Sequence, residues 1–259
     1  MTDSFLSGLF GLPGRTALVT GAAGALGQAI AQHLGAAGAR VVVNDLDGAA
    51  CERAVGQLRA QGIDATGAPF SVTHAPAAQP QVARVEAAGW GIDILVSNAG
   101  NQNRKPLVEM SIDEWKQIQA VHVDGAFNCC HAVLPGMVQK RRGTVVLMSS
   151  VSAMATMPNI GAYATAKGAL ASLTRAIAVE YGGQGITCNA LAPGFVRTAF
   201  TAALQERQEF QAFLQQAVPA GRWAEPEDIA PLVVALASKA GDFINGQVVA
   251  LDGGMLARM

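Results

Sequence analysis

Residues 15–27 read RTALVTGAAGALG, an apolar run followed at once by three regularly spaced glycines. The apolar run, residues 15–20, predicts a buried β-strand, and Gly21, Gly24 and Gly27 stand where that strand turns into a helix. Such a turn brings free backbone N–H groups and the positive end of the helix dipole close to a pyrophosphate. In a chain with 29 glycines the triplet could serve only to pack a helix on a strand. The strand–turn–helix context favours phosphate binding, with the helix beginning at Gly27.

Strands and helices continue to alternate along the chain. Apolar runs predict strands over residues 15–20, 40–45, 92–97, 143–149, 186–191 and 247–251, and helices are predicted over about 26–37, 48–61, 111–138, 162–181 and 226–238. This alternation joins parallel strands by right-handed crossovers. We therefore expect an α/β fold: one doubly wound, Rossmann-type parallel sheet with helices on both faces, in a single domain spanning residues 1–259.

Composition excludes several classes of protein. The chain has 259 residues, 51% hydrophobic and 14% charged, so it can bury a large core and is not disordered. A formal net charge of −1 without a clustered basic surface argues against nucleic-acid binding. No apolar run approaches the roughly 20 residues of a membrane span, and residues 1–15 lack the basic start of a secretory signal. We expect a cytoplasmic protein that does not bind membranes.

The four cysteines are Cys51, Cys129, Cys130 and Cys188, with no CxxC pair and no histidine at metal-ligand spacing. Adjacent Cys129 and Cys130 would point to different sides of a helix and do not suit a disulfide. We expect small buried side chains in a reducing compartment, and no metal site.

Asp45 ends the second predicted strand, where a carboxylate can accept hydrogen bonds from both ribose hydroxyls of an adenosine and repel a 2′-phosphate. The next residues are Leu46 and Asp47, so no Arg or Lys follows to receive such a phosphate. The alternative is an ordinary strand-end Asp that caps the next helix. We predict NAD rather than NADP as the dinucleotide.

Tyr163 and Lys167 lie four positions apart in a predicted helix and so share one face. Because a neighbouring ammonium stabilises a phenolate, we expect the pKa of Tyr163 to fall below its usual value of about 10 and the phenol to act as a general acid/base. Ser150, at the end of a predicted strand, could hold a substrate oxygen by a hydrogen bond. A Tyr-x-x-x-Lys pair alone is usually a solvated helix face, but this one follows a Ser-Ser strand end inside a dinucleotide fold.

Together these motifs resemble those of the short-chain dehydrogenase/reductase family over nearly the whole chain. The matching stretches are TGAAGALG (20–27), SNAG (97–100), Ser150, YATAK (163–167), NALAPGFVRT (189–198) and NGQVVALDGG (245–254). The resemblance implies a nicotinamide cofactor and a catalytic set of Ser150, Tyr163 and Lys167, with Lys167 also bonding the nicotinamide ribose. It further implies a homotetramer with the two long helices and the last strand at subunit contacts.

The resemblance also implies which residues surround the cofactor. Residues 98–100 would flank it, and Pro193-Gly194 with Val196 and Thr198 would hold its nicotinamide end. The full set expected to contact the cofactor is Gly21, Ala23, Gly24, Leu26, Gly27, Asp45, Leu46, Ser71, Val72, Asn98, Ala99, Gly100, Tyr163, Lys167, Pro193, Gly194, Val196 and Thr198.

Two positions depart from the family pattern. Members usually carry an Asn on the long helix that anchors a water relaying protons to the lysine, and the matching position, in AVHVDGAF, is His122. Asn128 lies on another face and cannot simply substitute. Three possibilities stay open: His122 holds the water through its ring or carbonyl, turnover is reduced, or His122 is a core histidine without a catalytic role. The second departure is Ser71-Val72, where the family often has Asp-Val beside the adenine; we expect cofactor binding to survive there.

The loop after Gly100 is expected to select the substrate. It reads NQNRKP (101–106), and its cations Arg104 and Lys105 could meet a carboxylate or hydroxyls, unless it is only a solvated surface loop. It resembles the IQ-x-RKP stretch typical of gluconate 5-dehydrogenases. The resemblance favours a sugar acid as substrate.

A second segment expected to select the substrate covers about residues 195–225. Its aromatic side chains, Phe195, Phe200, Phe210 and Phe213, suggest an amphipathic lid, although packing on their own helix is the simpler account. We expect Ser150, Arg104 and Phe195 to contact the substrate.

The sequence thus predicts an NAD-dependent oxidoreductase that interconverts a secondary alcohol and a ketone on a sugar acid or polyol. The first alternative is a 3-oxoacyl thioester reductase acting on an acyl carrier protein or a CoA ester; that activity usually draws on NADPH, which Asp45 disfavours. An alternative of another class is a non-catalytic NAD(H)-binding sensor or assembly protein. His122 favours this last alternative, and the intact Ser150, Tyr163 and Lys167 argue against it.

Overall fold

Seven strands form the centre of the molecule in the computed structural model, which describes residues 2–258. They are β1 (Thr16–Thr20), β2 (Arg40–Asn44), β3 (Ala65–Gly67), β4 (Ile94–Ser97), β5 (Gly143–Met148), β6 (Ile186–Pro193) and β7 (Val248–Leu251). The order across the sheet is β3-β2-β1-β4-β5-β6-β7, and every neighbouring pair is parallel. The predicted doubly wound parallel sheet is confirmed. Met1 and Met259, the ends of the predicted domain, lie outside the described residues, and the single domain stays a prediction.

Helices connect the strands and cover both faces of the sheet. They are α1 (Thr2–Phe10), α2 (Ala25–Ala36), α3 (Gly48–Ala60), α4 (Ala75–Ala87), α5 (Ile112–Gln119), α6 (Gly125–Lys140), α7 (Gly161–Tyr181), α8 (Ala202–Gln205), α9 (Gln208–Ala217) and α10 (Pro226–Ala237). A π-helical turn, Ala120–Asp124, joins α5 to α6, so the predicted long helix contains this wider turn. Helix α2 begins at Ala25 rather than at Gly27, which therefore lies in its first turn. No helix within residues 2–258 combines the length and the apolar character needed to cross a membrane.

Alternate residues of each strand pack on opposite faces of the sheet. Val19 and Val43 belong to an apolar cluster built with α2, α3 and α10, whereas Leu18 and Val42 belong to one built with α4, α6 and α7. Burial on both faces explains why the strands are continuous apolar runs. The four cysteines lie in the same two layers, buried and unbridged as predicted.

Strand β1 lies between β2 and β4, so the chain winds away from it in both directions. At such a switch point the loops that follow the two neighbouring strands part at the carboxyl edge of the sheet and leave a crevice. The segments after β1, β4, β5 and β6 carry the sequence motifs, and all of them reach this edge.

Candidate active site

A cavity of about 690 Å³ opens at the carboxyl edge of the sheet. It runs from the glycine loop after β1 to the segment after β6, and every residue predicted to contact cofactor or substrate lines it except Ala23. The predicted residues that line it are Gly21, Gly24, Leu26, Gly27, Asp45, Leu46, Ser71, Val72, Asn98, Ala99, Gly100, Arg104, Ser150, Tyr163, Lys167, Pro193, Gly194, Phe195, Val196 and Thr198. Ala23 instead uses its backbone N–H to hold the carboxylate of Asp45, at 3.2 Å.

The glycine loop requires its glycines for close approach. Gly21 has φ of +63°, and a Cβ there would lie 3.0 Å from the Cα of Ala99. A Cβ at Gly27 would collide with the carbonyl oxygen of Gly21 and lie 2.8 Å from the Cα of Ala22. Helix α2 is capped by Gly24, which has no side-chain acceptor, so its first N–H groups are available to a ligand. The loop therefore fits a pyrophosphate at the helix N-terminus.

The loop after β4 is tied directly to the glycine loop. The backbone N–H groups of Asn98 and Ala99 each donate to Thr20 Oγ1 at 3.0 Å. The Asn98 side-chain amide donates to the carbonyl oxygens of Thr20 at 3.0 Å and Gly21 at 3.3 Å. Asn98 thus holds two walls of the cavity together, a role that the motif alone does not reveal.

Asp45 presents its carboxylate beside the glycine loop. One oxygen accepts from Ala23 N and the other from Leu46 N at 2.8 Å. The alternative of a helix cap is wrong for Asp45, because Asp47 caps α3 by accepting from Ala49 N. Among the described residues that line the cavity, the Lys and Arg side chains are Arg104 and Lys167, both outside this segment.

Ser71 and Val72 form the opposite wall of the same end of the cavity. The Ser71 hydroxyl is 2.9 Å from that of Thr73, and the Val72 carbonyl accepts from the Asn128 side chain at 2.8 Å. Asn128 is therefore committed to this wall and does not take over the position of His122.

Helix α7 presents Tyr163 and Lys167 to the cavity. The Lys167 Nζ atom lies 5.3 Å from the centroid of the Tyr163 ring and donates to the carbonyl oxygen of Met148 at 2.6 Å. Burial lowers the pKa of Lys167 to about 7. Near neutral pH this side chain is therefore present in both charged and neutral forms.

The expected fall in the pKa of Tyr163 is wrong for the protein in this state. Loss of water around the phenol raises the pKa, and this outweighs the lowering by a hydrogen bond with Ser150 and by the charge of Arg104. Ser150 is buried, and its Oγ also accepts from Ser152 N at 3.1 Å. Neighbours and burial thus act on Tyr163 in opposite directions.

His122 lies buried in the π-helical turn between α5 and α6. Its Nε2 is 2.8 Å from the carbonyl oxygen of Asn101 and 3.3 Å from the backbone N of the same residue. The shorter contact is to an atom that only accepts, so we assign the proton to Nε2. The ring stands edge-on to Tyr163, with centroids 5.3 Å apart and planes at 84°. Burial, and then the charge of Lys167, lower the pKa of His122 to about 3, so the ring is neutral at physiological pH.

Glu114 organises the loop of residues 101–106. It accepts from Asn103 Nδ2 at 3.1 Å and from Lys105 Nζ at 3.1 Å, and it forms a capping box with Ser111 at the start of α5. Lys105 is therefore paired with a carboxylate. Arg104 has its side chain at the cavity and forms no ion pair within residues 2–258. Of the two cations in the loop, Arg104 is the one positioned for a ligand.

The aromatic residues of the 195–225 segment divide into two groups. One group is a packed cluster of rings: Phe195, Phe210, Phe213 and Trp223. Phe200 lies apart from it and faces the cavity, with its ring centroid 5.9 Å from that of Tyr163. Packing on their own helix, the simpler account, holds for Phe210 and Phe213 of α9. Phe195 and Trp223 join them from outside that helix, and Phe195 contributes to the cavity as well.

Sequence reasoning missed the apolar part of the cavity lining. These residues include Met148, Val151, Ala155, Met157, Ile160 and Met255. They belong to no motif, and only the fold brings them together.

Comparison with known proteins shows similarity over nearly the whole chain. The family model described as enoyl-(acyl carrier protein) reductase matches residues 21–256. The 5-keto-D-gluconate 5-reductase of Escherichia coli strain K12 is 39% identical over 251 residues, which cover 97% of this chain and 99% of the relative. The gluconate 5-dehydrogenase of Gluconobacter oxydans strain 621H is 38% identical over 247 residues, covering 95% and 96%. The crystal structure of a gluconate 5-dehydrogenase from Burkholderia cenocepacia J2315, in complex with NADP and tartrate, has 35% identity and a TM-score of 0.96, covering 98% of this chain and 99% of that chain.

Proposed function

We propose that this chain, which belongs to the short-chain dehydrogenase/reductase family, is an NAD-dependent oxidoreductase. It would act on a secondary alcohol or ketone of a sugar acid or polyol. The proposed substrate class rests on a single observation: Arg104 lines the same cavity as Tyr163 and Ser150. A guanidinium binds a carboxylate through paired hydrogen bonds. Two relatives named for gluconate or keto-gluconate activities support this choice.

The cofactor would lie along the cavity from the glycine loop to Pro193-Gly194. The N-terminus of α2 would hold its pyrophosphate, and Asp45 would accept from its adenosine ribose. A bound nicotinamide dinucleotide supplies or accepts the hydride at the substrate carbon. The Burkholderia relative was solved with NADP. For this chain we propose NAD, since Asp45 puts a negative charge where a 2′-phosphate would lie.

The protein's own groups would handle the proton. In alcohol oxidation Tyr163 takes the proton of the substrate hydroxyl, and Ser150 holds the same oxygen by a hydrogen bond. Lys167, with a pKa of about 7, can carry a positive charge that stabilises the phenolate and can bond the nicotinamide ribose. Ser150 and Arg104 also favour the phenolate, because each lowers the pKa of Tyr163.

The test is formation of NADH or NADPH by purified protein with gluconate, polyols and simple secondary alcohols. We expect turnover with NAD on a polyhydroxylated acid, reduced about 10²- to 10⁴-fold in Tyr163→Phe, the contribution typical of a general acid/base. The matched control is Tyr181→Phe, which changes the other tyrosine of α7 outside the cavity and should retain activity.

Other outcomes would replace the proposal. Undiminished turnover in Tyr163→Phe would remove the assigned mechanism. Activity only on 3-oxoacyl thioesters would establish the first alternative. Tight NADH binding without turnover of either substrate class would favour a non-catalytic sensor.

A further inference from the structure

Arg104 stands in a loop that is tethered on both sides. At the start of the loop, His122 Nε2 donates to the carbonyl oxygen of Asn101 at 2.8 Å. The ring also packs on the backbone just before it, since a Cβ at Gly100 would lie 2.8 Å from His122 Cε1. On both sides of Arg104, the side chains of Asn103 and Lys105 donate to Glu114 at 3.1 Å.

The two tethers lead to the helix that carries Tyr163. Glu114 belongs to α5 and His122 to the π-helical turn that continues it. The end of α5 is bound to α7 by a hydrogen bond from Gln119 Nε2 to the carbonyl oxygen of Ala162, at 3.0 Å. These contacts hold the backbone of the loop at a fixed place relative to α7, and the long Arg104 side chain extends from that backbone to the cavity.

Two polar atoms lie buried beside the His122 tether. Within residues 2–258, His122 Nδ1 and Asn101 Oδ1 are buried without a hydrogen-bond partner. An apolar side chain could fill the same space without leaving such atoms unpaired. We therefore attribute the histidine at this position to the hydrogen bond between its Nε2 and Asn101 rather than to packing.

We infer that His122 and Glu114 are positioning residues that hold Arg104 in place from the two sides of its loop and so set the preference for acidic over uncharged substrates. This rests on the proposed function in taking Arg104 as the group that binds the substrate carboxylate. Misplacement by about 1 Å can reduce an enzymatic rate about 10²-fold, so loosening either tether should be measurable.

The first experiment compares kcat/KM for gluconate with kcat/KM for the uncharged six-carbon polyol glucitol. His122→Phe keeps an aromatic ring against Tyr163 but cannot donate to Asn101. Glu114→Gln removes the negative charge and one of the two acceptor oxygens that bind Asn103, Lys105 and Ser111. We expect each to reduce the preference for the acid about three- to tenfold, as for one lost hydrogen bond. In an Arg104→Met background neither change should alter the preference further, because the guanidinium that binds the substrate carboxylate is already absent.

Matched controls separate positioning from a structural role. His131→Phe, an exposed histidine of α6 outside the cavity, should leave the preference unchanged. If His122→Phe and Glu114→Gln lower kcat/KM equally on both substrates, the residues are merely structural and the inference is overturned. If the wild-type protein turns over both substrates without preferring the acid, Arg104 does not select a carboxylate and the inference is overturned. If it turns over neither, the proposed function fails.

Hydrogen exchange tests the tethers without any turnover. In cofactor-free protein we expect faster exchange of the amides of residues 101–105 in His122→Phe and in Glu114→Gln, with exchange in β5 unchanged. The Glu114 side chain is partly exposed and Gln has nearly the same shape, so we expect this variant to fold even if the buried His122 site does not tolerate Phe. Unchanged loop exchange in Glu114→Gln would overturn the inference whatever the activity results.

Discussion

At the scale of the single residue, the carboxylate of Asp45 is held in position, because the backbone N–H groups of Ala23 and Leu46 donate to its two oxygens. A ribose hydroxyl can donate to this carboxylate, whereas a 2′-phosphate would be repelled by it. We expect Asp45→Ala to reduce the preference for NAD over NADP, as a ratio of kcat/KM, by about tenfold or more, which corresponds to about 1.4 kcal/mol.

The control for Asp45 is its neighbour Asp47. Asp47→Ala removes the cap of α3 and should lower stability by about 1 kcal/mol without changing the cofactor preference. An unchanged preference in Asp45→Ala would show that another feature selects the dinucleotide.

Lys167 makes a prediction about stability and pH. Burial lowers its pKa from 10.5 to about 7, so between these pH values the unfolded chain binds more protons at this site than the folded protein. Burying the charged ammonium therefore lowers the free energy of unfolding by its full amount below pH 7, and this cost disappears as the pH rises towards 10.5. We expect Lys167→Met to be inactive yet more stable than wild type at pH 6 by a few kcal/mol. This figure follows from about 1.4 kcal/mol per pKa unit, reduced by the loss of the hydrogen bond to Met148.

The measurement for Lys167 is urea unfolding of both proteins from pH 6 to pH 10. The advantage of Lys167→Met should shrink as the pH rises, whereas the exposed Lys239→Met should show no such trend. A difference in unfolding free energy that stays constant with pH would contradict the lowered pKa.

Single residues also show where sequence reasoning stops. The spacing of Tyr163 and Lys167 and the strand end before Ser150 were sufficient to predict one cavity for all three. The wrong direction for the Tyr163 pKa arose because burial and neighbouring charges compete, and their balance depends on three-dimensional surroundings. The contacts of His122 with Asn101 were equally invisible, since they join separate elements at no fixed spacing.

At the scale of secondary structure, length and apolar content explain which elements could be predicted. The long buried strands and the capped helix α5 have clear patterns, and the structure contains them. Strand β3 has only three residues, and α4 has Pro80 inside it, so neither gives a recognisable periodicity. The π-helical turn at His122 was missed because its residues carry no signal that separates a π-turn from a continuous α-helix.

Asp93 joins three elements at the amino edge of the sheet, away from the cavity. Its buried carboxylate accepts from Thr16 N at 3.1 Å, Lys140 Nζ at 2.9 Å and Arg142 Nη2 at 2.9 Å. Burial alone would raise its pKa, but the hydrogen bonds from Lys140, Arg142 and Thr16 outweigh it and lower the pKa. We expect Asp93→Asn to lower the free energy of unfolding at pH 7 by about 1–2 kcal/mol, because the neutral amide binds Lys140 and Arg142 less strongly and both cations are partly exposed to water.

The sign of the pH effect at Asp93 follows from its lowered pKa. Its contribution to stability is present above the unfolded pKa of an Asp, about 3.9, and is lost as the pH falls through the folded pKa. Urea unfolding should therefore show the gap between wild type and Asp93→Asn closing in acid. The exposed Asp64→Asn should show little effect at either pH, and NADH binding should be unchanged in both. A gap that is independent of pH would place the cost in packing rather than in charge.

At the scale of the whole molecule, parallel strands could be predicted from the alternation of elements, but their order could not. Periodicity shows that Leu18 and Val19 face opposite sides of a sheet, and says nothing about which strand lies beside β1. The cavity depends on that order, because it places the loops after β1 and β4 side by side. The family resemblance supplied this information from the motifs, and the apolar lining still had to come from the structure.

Assembly remains a prediction at this scale. The two long helices expose apolar side chains, with Val179 of α7 at 85% and Phe127 of α6 at 55% exposure. Such side chains on an extended helical face are typical of subunit contacts.

We expect light scattering on a sizing column to give four times the 26.6 kDa of one chain. Val179→Glu should break the assembly into smaller species, because a charge would be buried without a partner. The control is Phe5→Glu on α1, which places the same charge on an apolar residue 67% exposed but outside the long helices. A monomeric wild type would refute the tetramer, and dissociation by Phe5→Glu alone would move the contact from the long helices to α1.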